Sequence, residues 1–209
     1  MKKTLFSLSL LLIFIINSAH ANLKGLDHFI YNFTDKMFNR LTKKEDINMI
    51  RERIIDQIRN NIDIKYIAKF VLGKNWRRLT PGQRAKFTKL YENYLIYSYA
   101  PKFRGYRGET YKILPSRELA PHKYIASIDL ILTTGKKLNL IIFVIWQEKQ
   151  GFKIVDVSGA GISFATTQRS EFSAAISQMG VYSFLEKLEE KVLFLEEEYD
   201  KKTYSINNE

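Results

Sequence analysis

The sequence contains no cysteine and only three histidines among its 209 residues. The lack of cysteine excludes disulfide bonds, thiol nucleophiles, zinc–thiolate sites and iron–sulfur clusters. Neither His28 nor His122 has a second metal-ligating residue two to four positions further on, so no zinc or iron site is predicted. Ten glycines and four prolines are too few for a fibrous or linker-like chain, and a globular domain is expected.

Long apolar runs are also lacking after the first twenty residues. Residues 1–21 combine a basic start, an apolar run from Leu5 to Ile16 and the sequence Ala-His-Ala, which ends at Ala21. This order is typical of a secretory signal peptide, and the run is shorter than the about 20 residues that a membrane-spanning helix needs. We expect cleavage after Ala21 and export of a soluble protein to the periplasm.

The charge is strongly basic, with 33 Lys and Arg against 22 Asp and Glu, a net charge of +11. Such an excess indicates an anionic partner. Because export separates the protein from nucleic acid, we expect that partner to be a lipid headgroup or an acidic protein. The candidate contact residues are Lys74, Arg77, Arg78 and Arg107, and an ordinary solvated surface is the alternative.

The first half of the chain has the apolar periodicity of helices. One stripe begins at Leu26 and a second begins at Ile47. Asp63 is expected to cap a short helix that ends at Gly73. Thr80 and the residues after it form a capping box, which predicts a long helix ending near residues 101–105.

The second half alternates between apolar and polar residues, which predicts strands near residues 109–114, 124–133, 138–146 and 152–157. Pro115 is expected to end the first of them. Two helices are expected at 163–178 and 181–198, followed by a polar tail at 199–209. The sequence therefore predicts one α+β domain over residues 22–198, with a four-stranded antiparallel meander packed against helices.

Catalytic motifs are not evident. Asp129 and Asp156 lie on predicted strands, and if both faced one cavity they would form an acid–base pair, as in cone-shaped α+β isomerases and dehydratases. An exported enzyme is therefore one alternative. An assembly or chaperone module that binds extended peptides in a surface groove is another.

One segment resembles a known family. The run from Val71 to Arg84, VLGKNWRRLTPGQR, is similar to a segment of the MlaC family, the toluene-tolerance phospholipid-binding proteins. The residues at 156–163 and 168–172 agree with the same family. The similarity extends over about residues 27–190, nearly the whole expected mature chain.

The resemblance implies a function and a fold. Proteins of this family carry phospholipid across the periplasm between an outer-membrane lipoprotein–porin complex and an inner-membrane ABC transporter that has a mammalian-cell-entry-type (MCE) subunit. This transport maintains the lipid asymmetry of the outer membrane. The implied fold is a curved antiparallel sheet wrapped by helices, similar to the nuclear-transport-factor-like class. No enzyme activity and no cofactor are implied; phospholipid is the cargo, and a monomer is the simplest expectation.

A carrier of this kind needs an apolar pocket. The simpler alternative is that the apolar and aromatic residues form a filled core and that some tyrosines lie on a solvated surface. The strand at 140–146 is apolar on both faces, which leaves open which face meets lipid. The expected lining is Trp76, Phe87, Tyr91, Leu95, Tyr111, Ile113, Ile128, Leu130, Phe143, Ile145, Val157, Ile162 and Phe164.

Overall fold

The computed structural model describes residues 23–39, 47–103 and 109–206. The predicted signal peptide and Arg107 lie outside the described residues. Six α-helices pack with one sheet in this part of the chain. They are α1 (23–34, continued by a π-helical turn, Asp35–Asn39), α2 (Ile47–Asn61), α3 (Ile64–Leu72), α4 (Pro81–Phe103), α5 (Phe164–Met179) and α6 (Val181–Ile206). A 3-10 helix, Gly73–Arg78, links α3 to α4.

The sheet is a curved antiparallel meander in which the strands lie side by side in chain order. Its strands are β1 (Thr110–Ala120), β2 (Lys123–Ile131), β3 (Lys137–Gln147), β4 (Gly151–Gly159) and β5 (Ile162–Ser163). The predicted α+β meander is confirmed. The structure adds β5, a two-residue strand that pairs with the end of β4 just before α5 begins.

The prediction that Pro115 ends the first strand is wrong, because β1 continues through it to Ala120. The register between β1 and β2 shifts between Leu114 and Arg117, where the proline lies. β1 is an edge strand, and a proline without an N–H group is tolerated at an irregularity on such an edge.

The last helix is also longer than predicted. It continues past Glu198 to Ile206, so the described part of the expected polar tail is helical. Tyr199 is buried, and its ring centroid lies 5.9 Å from that of Tyr97 on α4. This contact holds the end of α6 against the long helix.

The predicted helix caps are confirmed. Asp63 Oδ1 accepts a hydrogen bond from the backbone N–H of Tyr66 at 2.8 Å, at the start of α3. At the start of α4, the Thr80 N–H donates to Gln83 Oε1 at 2.9 Å and the Gln83 N–H donates to Thr80 Oγ1 at 3.2 Å. This reciprocal pair is a capping box.

The joint between α2 and α3 is bonded to the sheet. The Asp63 N–H donates to the carbonyl oxygen of Ile154 at 2.9 Å, and Gln147 Nε2 donates to Asp63 Oδ2 at 2.6 Å. These bonds tie the helical layer to β3 and β4, so the positions of the two layers are fixed at this point.

The described residues form two separate hydrophobic cores. Residues of α2 to α6 build the helical core, in which Phe87 and Tyr91 are fully buried. The sheet core lies between α1 and the inner face of the sheet, where Leu26 and Ile30 are fully buried. Ile62 packs against both cores. None of the described helices combines the length and the hydropathy needed to cross a bilayer.

Candidate functional site

A cavity of about 350 Å³ lies between the two cores. Its volume is within the range of ligand-binding pockets, roughly 300–1,000 Å³. Three groups of residues line it. The lining residues are Phe33, Thr34 and Met37 from α1 and its turn; Ile58, Ile62, Ile67, Tyr91, Leu95, Tyr99, Phe164 and Ala165 from the helical layer; and Ile128, Leu140, Ile142, Ile154, Asp156 and Val157 from the sheet.

The sheet wall follows from the strand register. Ile128 pairs with Leu140, and Ile142 pairs with Val157, across neighbouring strands. Side chains of residues directly paired in this way point to the same face of the sheet. The four side chains therefore form one continuous apolar surface that faces the helices.

The helical wall is built largely from aromatic rings. Tyr91 is fully buried, and its ring lies 5.8 Å from that of Phe87 behind it. The rings of Tyr99 and Phe164 meet edge to face at 4.6 Å. Ring packing of this kind gives the wall a fixed shape without directional demands on a ligand.

Few polar groups reach the cavity, and two of them are bonded to the protein. Thr34 Oγ1 donates to the carbonyl oxygen of Ile30 at 2.7 Å. Asp156 Oδ1 accepts from the N–H groups of Val157 and Ala165, at 2.8 Å and 2.9 Å, and its Oδ2 accepts from Ser163 Oγ at 2.5 Å. Asp156 thus helps to cap α5, which is a structural role for this carboxylate.

The two tyrosines that line the cavity are neutral at ordinary pH. Burial raises the pKa of Tyr91 far above its usual value, and its hydroxyl donates to Gln168 Oε1. Burial, with further contributions from Tyr94 and Glu171, raises the pKa of Tyr99 to about 12. Asp156 is consequently the one charged side chain among the lining residues that the structure describes.

The structure brings five of the thirteen predicted lining residues to the cavity: Tyr91, Leu95, Ile128, Val157 and Phe164. The other eight lie elsewhere. Trp76 and Phe87 are buried in the helical core, and Tyr111 and Ile113 pack against the sheet core. Leu130 is partly buried on the inner face of the sheet, opposite Tyr111 on β1. Ile162 is 66% exposed.

Phe143 and Ile145 lie on the face of the sheet opposite the cavity. They alternate along β3 with Ile142 and Val144, which belong to the sheet core, and alternate residues of a strand point to opposite faces. The question of which face of β3 meets the cavity is thereby answered: Leu140 and Ile142 do.

Sequence reasoning missed all of the lining supplied by α1, α2, α3 and β3. A signal for β3 was present, because the turn at 134–136 fixes the hairpin register and pairs Leu140 with Ile128. No comparable local signal marks Phe33, Ile58 or Ile67. Each belongs to an ordinary apolar helix stripe, and only the packing of the two cores leaves space beside it.

Asp129 and Asp156 do not form a pair. Asp129 Oδ2 bonds Lys137 Nζ at 2.7 Å, and its Oδ1 accepts from Asn139 Nδ2 at 2.9 Å. These bonds hold the pKa of Asp129 below its usual value. Asp129 neighbours Ile128 on β2, so it points away from the cavity, whereas Asp156 lines it. The arrangement required by the acid–base alternative is absent.

Of the predicted contact residues, Lys74, Arg77 and Arg78 are exposed on the 3-10 helix, and none of them forms an ion pair with a described residue. Arg84 fixes this corner by donating to the Trp76 carbonyl oxygen at 2.9 Å. Within the described ranges, no group of three or more histidine, aspartate or glutamate side chains is arranged to hold a metal ion.

Comparison with known proteins assigns the family. The family model described as MlaC protein matches residues 32–190, which is well over half of the chain. The chain belongs to the MlaC family. A relative from Haemophilus influenzae, the intermembrane phospholipid transport system binding protein MlaC, is 22% identical over 161 residues, covering 76% of this chain and 75% of the relative.

A solved structure has the same fold. It is the phospholipid-binding protein from Ralstonia solanacearum in complex with a phospholipid, which superposes with a TM-score of 0.65 at 20% sequence identity. The match covers 85% of this MlaC-family chain and 98% of the Ralstonia chain. The α+β architecture that the sequence predicts is therefore that of a known fold.

Proposed function

We propose that this protein is a soluble carrier that holds a diacyl phospholipid with its acyl chains in the cavity between the two cores. The observation that carries the proposal is the cavity itself, which is walled almost entirely by aliphatic and aromatic side chains. The names of the Haemophilus relative and of the Ralstonia structure support the same cargo.

The energetics favour this design. A diacyl phospholipid carries about 30 methylene groups, and leaving each in water costs roughly 0.8 kcal/mol, or on the order of 25 kcal/mol in total. An apolar wall offsets this cost without directional bonds, so acyl chains of varied structure fit. The headgroup stays hydrated at the surface, which explains why the cavity contains no basic side chain among its lining residues.

The family and the first residues of the sequence support a proposal for the cellular role. We propose export to the periplasm after cleavage of residues 1–21, and shuttling between an outer-membrane lipoprotein–porin complex and an inner-membrane ABC transporter with an MCE-type subunit. Maintenance of outer-membrane lipid asymmetry and tolerance to toluene are the corresponding physiological roles. Binding and release of lipid require no catalysis and no cofactor, and a shuttle of this kind works as a monomer.

The exposed 3-10 helix is the proposed docking surface for membranes or partner complexes, with Lys74, Arg77 and Arg78 as contacts and Arg107 as a further candidate. Charge reversal at Lys74 and Arg77 should slow lipid exchange with anionic vesicles severalfold, because the attraction to the surface is lost. Lys187, exposed on α6 and paired with Glu190, is the control position. Equal exchange rates for Lys74→Glu/Arg77→Glu and Lys187→Glu, measured at low salt, would contradict the assignment.

The cargo is tested by denaturing extraction of the purified protein followed by lipid mass spectrometry. We expect phospholipid in an amount comparable to that of the protein. A protein that purifies without lipid and takes up none from vesicles would contradict the carrier function.

Two neighbouring residues of β3 provide a matched pair for locating the lipid. Leu140 lines the cavity, whereas Ile141 points to the other face, and both are partly exposed. Leu140→Gln should reduce the lipid recovered several-fold, since it places an amide against the acyl chains. Ile141→Gln should leave the lipid content unchanged. An equal effect of the two substitutions at equal folding, checked by circular dichroism, would show that the acyl chains lie elsewhere.

A further inference from the structure

The face of the sheet that points away from the cavity carries an apolar patch. Ile141, Phe143 and Ile145 lie on this face of β3, and all three side chains are partly exposed. Ile125 on β2 pairs with Phe143 and lies on the same face. These four residues, the outer patch, belong to neither of the two cores that the described residues form.

Basic side chains border the outer patch. Lys123 on β2 and Lys153 on β4 pair with Ile145 from its two sides. Arg117 on β1 pairs with Ile125. Lys153 also donates a hydrogen bond to a carbonyl oxygen of α2, whereas Arg117 and Lys123 are exposed and form no ion pair with another residue in the described ranges. Their charges are therefore available to an anionic partner.

The nearby carboxylates do not cancel this charge. Asp129, on the same face of β2, is paired with Lys137 at 2.7 Å. Asp156 pairs with β3 where the register shifts, but its carboxylate is bonded to the start of α5. Glu118 pairs with Tyr124 of the sheet core and thus points to the other face. The outer patch is therefore apolar with a positively charged border.

An exposed aromatic residue on α6 has different surroundings. Phe194 is 56% exposed and lies beside Glu190 and Glu197 on the helix surface. Glu190 pairs with Lys187 at 2.6 Å, and Glu197 pairs with Lys201 at 3.6 Å. Positive and negative side chains are thus balanced at this helix, whereas the border of the outer patch has an excess of positive charge.

The combination of an apolar centre and a basic border selects the kind of partner. At an anionic bilayer, apolar side chains enter the boundary between headgroups and acyl chains, and basic side chains reach the phosphates. The headgroups are mobile and lie at every position of the surface, so no fixed acceptor is needed for each cation. The outer patch fits this case because its aliphatic and aromatic side chains offer no directional groups, which an interface with one acidic protein would use for specificity.

We propose that the outer face of the sheet binds the surface of an anionic membrane. Ile141, Phe143 and Ile145 contact lipid, while Arg117 and Lys123 bind headgroup phosphates. The helical layer then faces away from the membrane. This inference goes beyond the proposed carrier function and does not rest on it, because the outer patch is separate from both the cavity and the 3-10 helix.

Cosedimentation with extruded vesicles tests the proposal. The protein is used without residues 1–21, because the apolar run there would itself bind vesicles, and this form keeps every described residue. We expect binding at low salt to vesicles of phosphatidylglycerol and phosphatidylcholine in equal amounts. Binding to phosphatidylcholine alone, or at high salt, should be much weaker.

Charge reversal locates the binding surface. Arg117→Glu/Lys123→Glu should weaken binding by about 25-fold or more, since each basic side chain near an anionic surface contributes roughly fivefold. Lys187→Glu/Lys191→Glu changes the net charge by the same amount on α6 and should retain most of the binding.

A matched pair of aromatic residues tests the apolar part of the outer patch. Phe143→Gln should weaken binding several-fold, whereas Phe194→Gln, at the more exposed ring, should leave it unchanged. Circular dichroism checks that both variants fold. If Phe143→Gln is unstable, the exposed positions 117 and 123 still decide the test.

Three results would overturn the proposal. The first is no binding of the parent protein to anionic vesicles, as expected if the outer patch contacts a protein instead. The second is equal binding of the two charge-reversal variants. The third is a loss of binding in Lys74→Glu/Arg77→Glu alone, which would place the contact at the 3-10 helix. Lipid extracted from Arg117→Glu/Lys123→Glu should equal that from the parent protein, so the carrier function is judged separately.

Discussion

Tyr91 and Tyr99 line the cavity with phenol groups that burial keeps protonated. An unfolded tyrosine ionises near pH 10, whereas the pKa of Tyr99 in the folded protein is about 12 and that of Tyr91 is higher still. Between these values the unfolded chain releases protons that the folded chain retains. The free energy of unfolding therefore falls as the pH rises above 10, and neither group contributes to a pH dependence below that value.

This linkage gives a prediction for alkaline solution. The parent protein should lose stability between pH 10 and pH 12, and the variant Tyr91→Phe/Tyr99→Phe should lose less over the same interval. Urea unfolding at about pH 8 and about pH 11 measures the difference. If both proteins lose the same stability, the two hydroxyls are not shielded from water in the manner described.

At the scale of secondary-structure elements, the link between α3 and α4 depends on Gly73. Its φ of +53° lies in the left-handed region, where residues with a Cβ are strained. A Cβ at this position would also lie 3.1 Å from an Nη atom of Arg169 on α5. The glycine therefore permits both the end of α3 and its close contact with α5.

Gly73→Ala should lower the free energy of unfolding by about 1–2 kcal/mol, the usual cost of a left-handed residue with a Cβ. Gly82, in the first turn of α4, is the matched control. A Cβ at Gly82 would meet no atom within 4 Å, so Gly82→Ala should be neutral or stabilise by up to about 1 kcal/mol. Urea denaturation of both variants tests the contrast, and similar effects of the two substitutions would contradict it.

Much of the secondary structure could be predicted from the sequence, because helix caps and tight turns depend on residues that are close together in the chain. Asp63 and the capping box at Thr80 and Gln83 act through residues three positions apart, so their spacing was sufficient to place the starts of α3 and α4. The hairpin at 134–136 was equally local. Pro115 was misjudged because its effect depends on whether the strand lies at the edge of the sheet, which is a property of the assembled sheet.

The cavity lining was harder to predict for the same reason. The sequence pattern of an apolar residue on a helix or a strand is the same whether its side chain fills a core or lines a cavity. Phe87 and Tyr91 lie one turn apart on α4, yet only Tyr91 lines the cavity. The difference arises from how the sheet core sits against the helical core, which no local pattern encodes.

At the scale of the whole molecule, the cavity links stability to cargo. An empty apolar cavity lacks the contacts that its lining would otherwise make, and a ligand that binds only the folded state stabilises it. Delipidated protein should therefore melt several degrees below lipid-loaded protein. Adding phospholipid vesicles should raise its melting temperature back to that of the loaded protein. Differential scanning calorimetry checks this. Identical melting temperatures with and without bound lipid would contradict it.

The division of the interior into two cores has a consequence for the range of cargo. Each wall of the cavity belongs to a hydrophobic core of its own, and Ile62 packs against both cores. We expect one layer to tilt against the other about this joint without disturbing either core, whereas a hole within a single close-packed core would have rigid dimensions. The capacity of the site is then set by how far the layers part, so that saturated and kinked hydrocarbon chains can be accommodated by the same set of side chains.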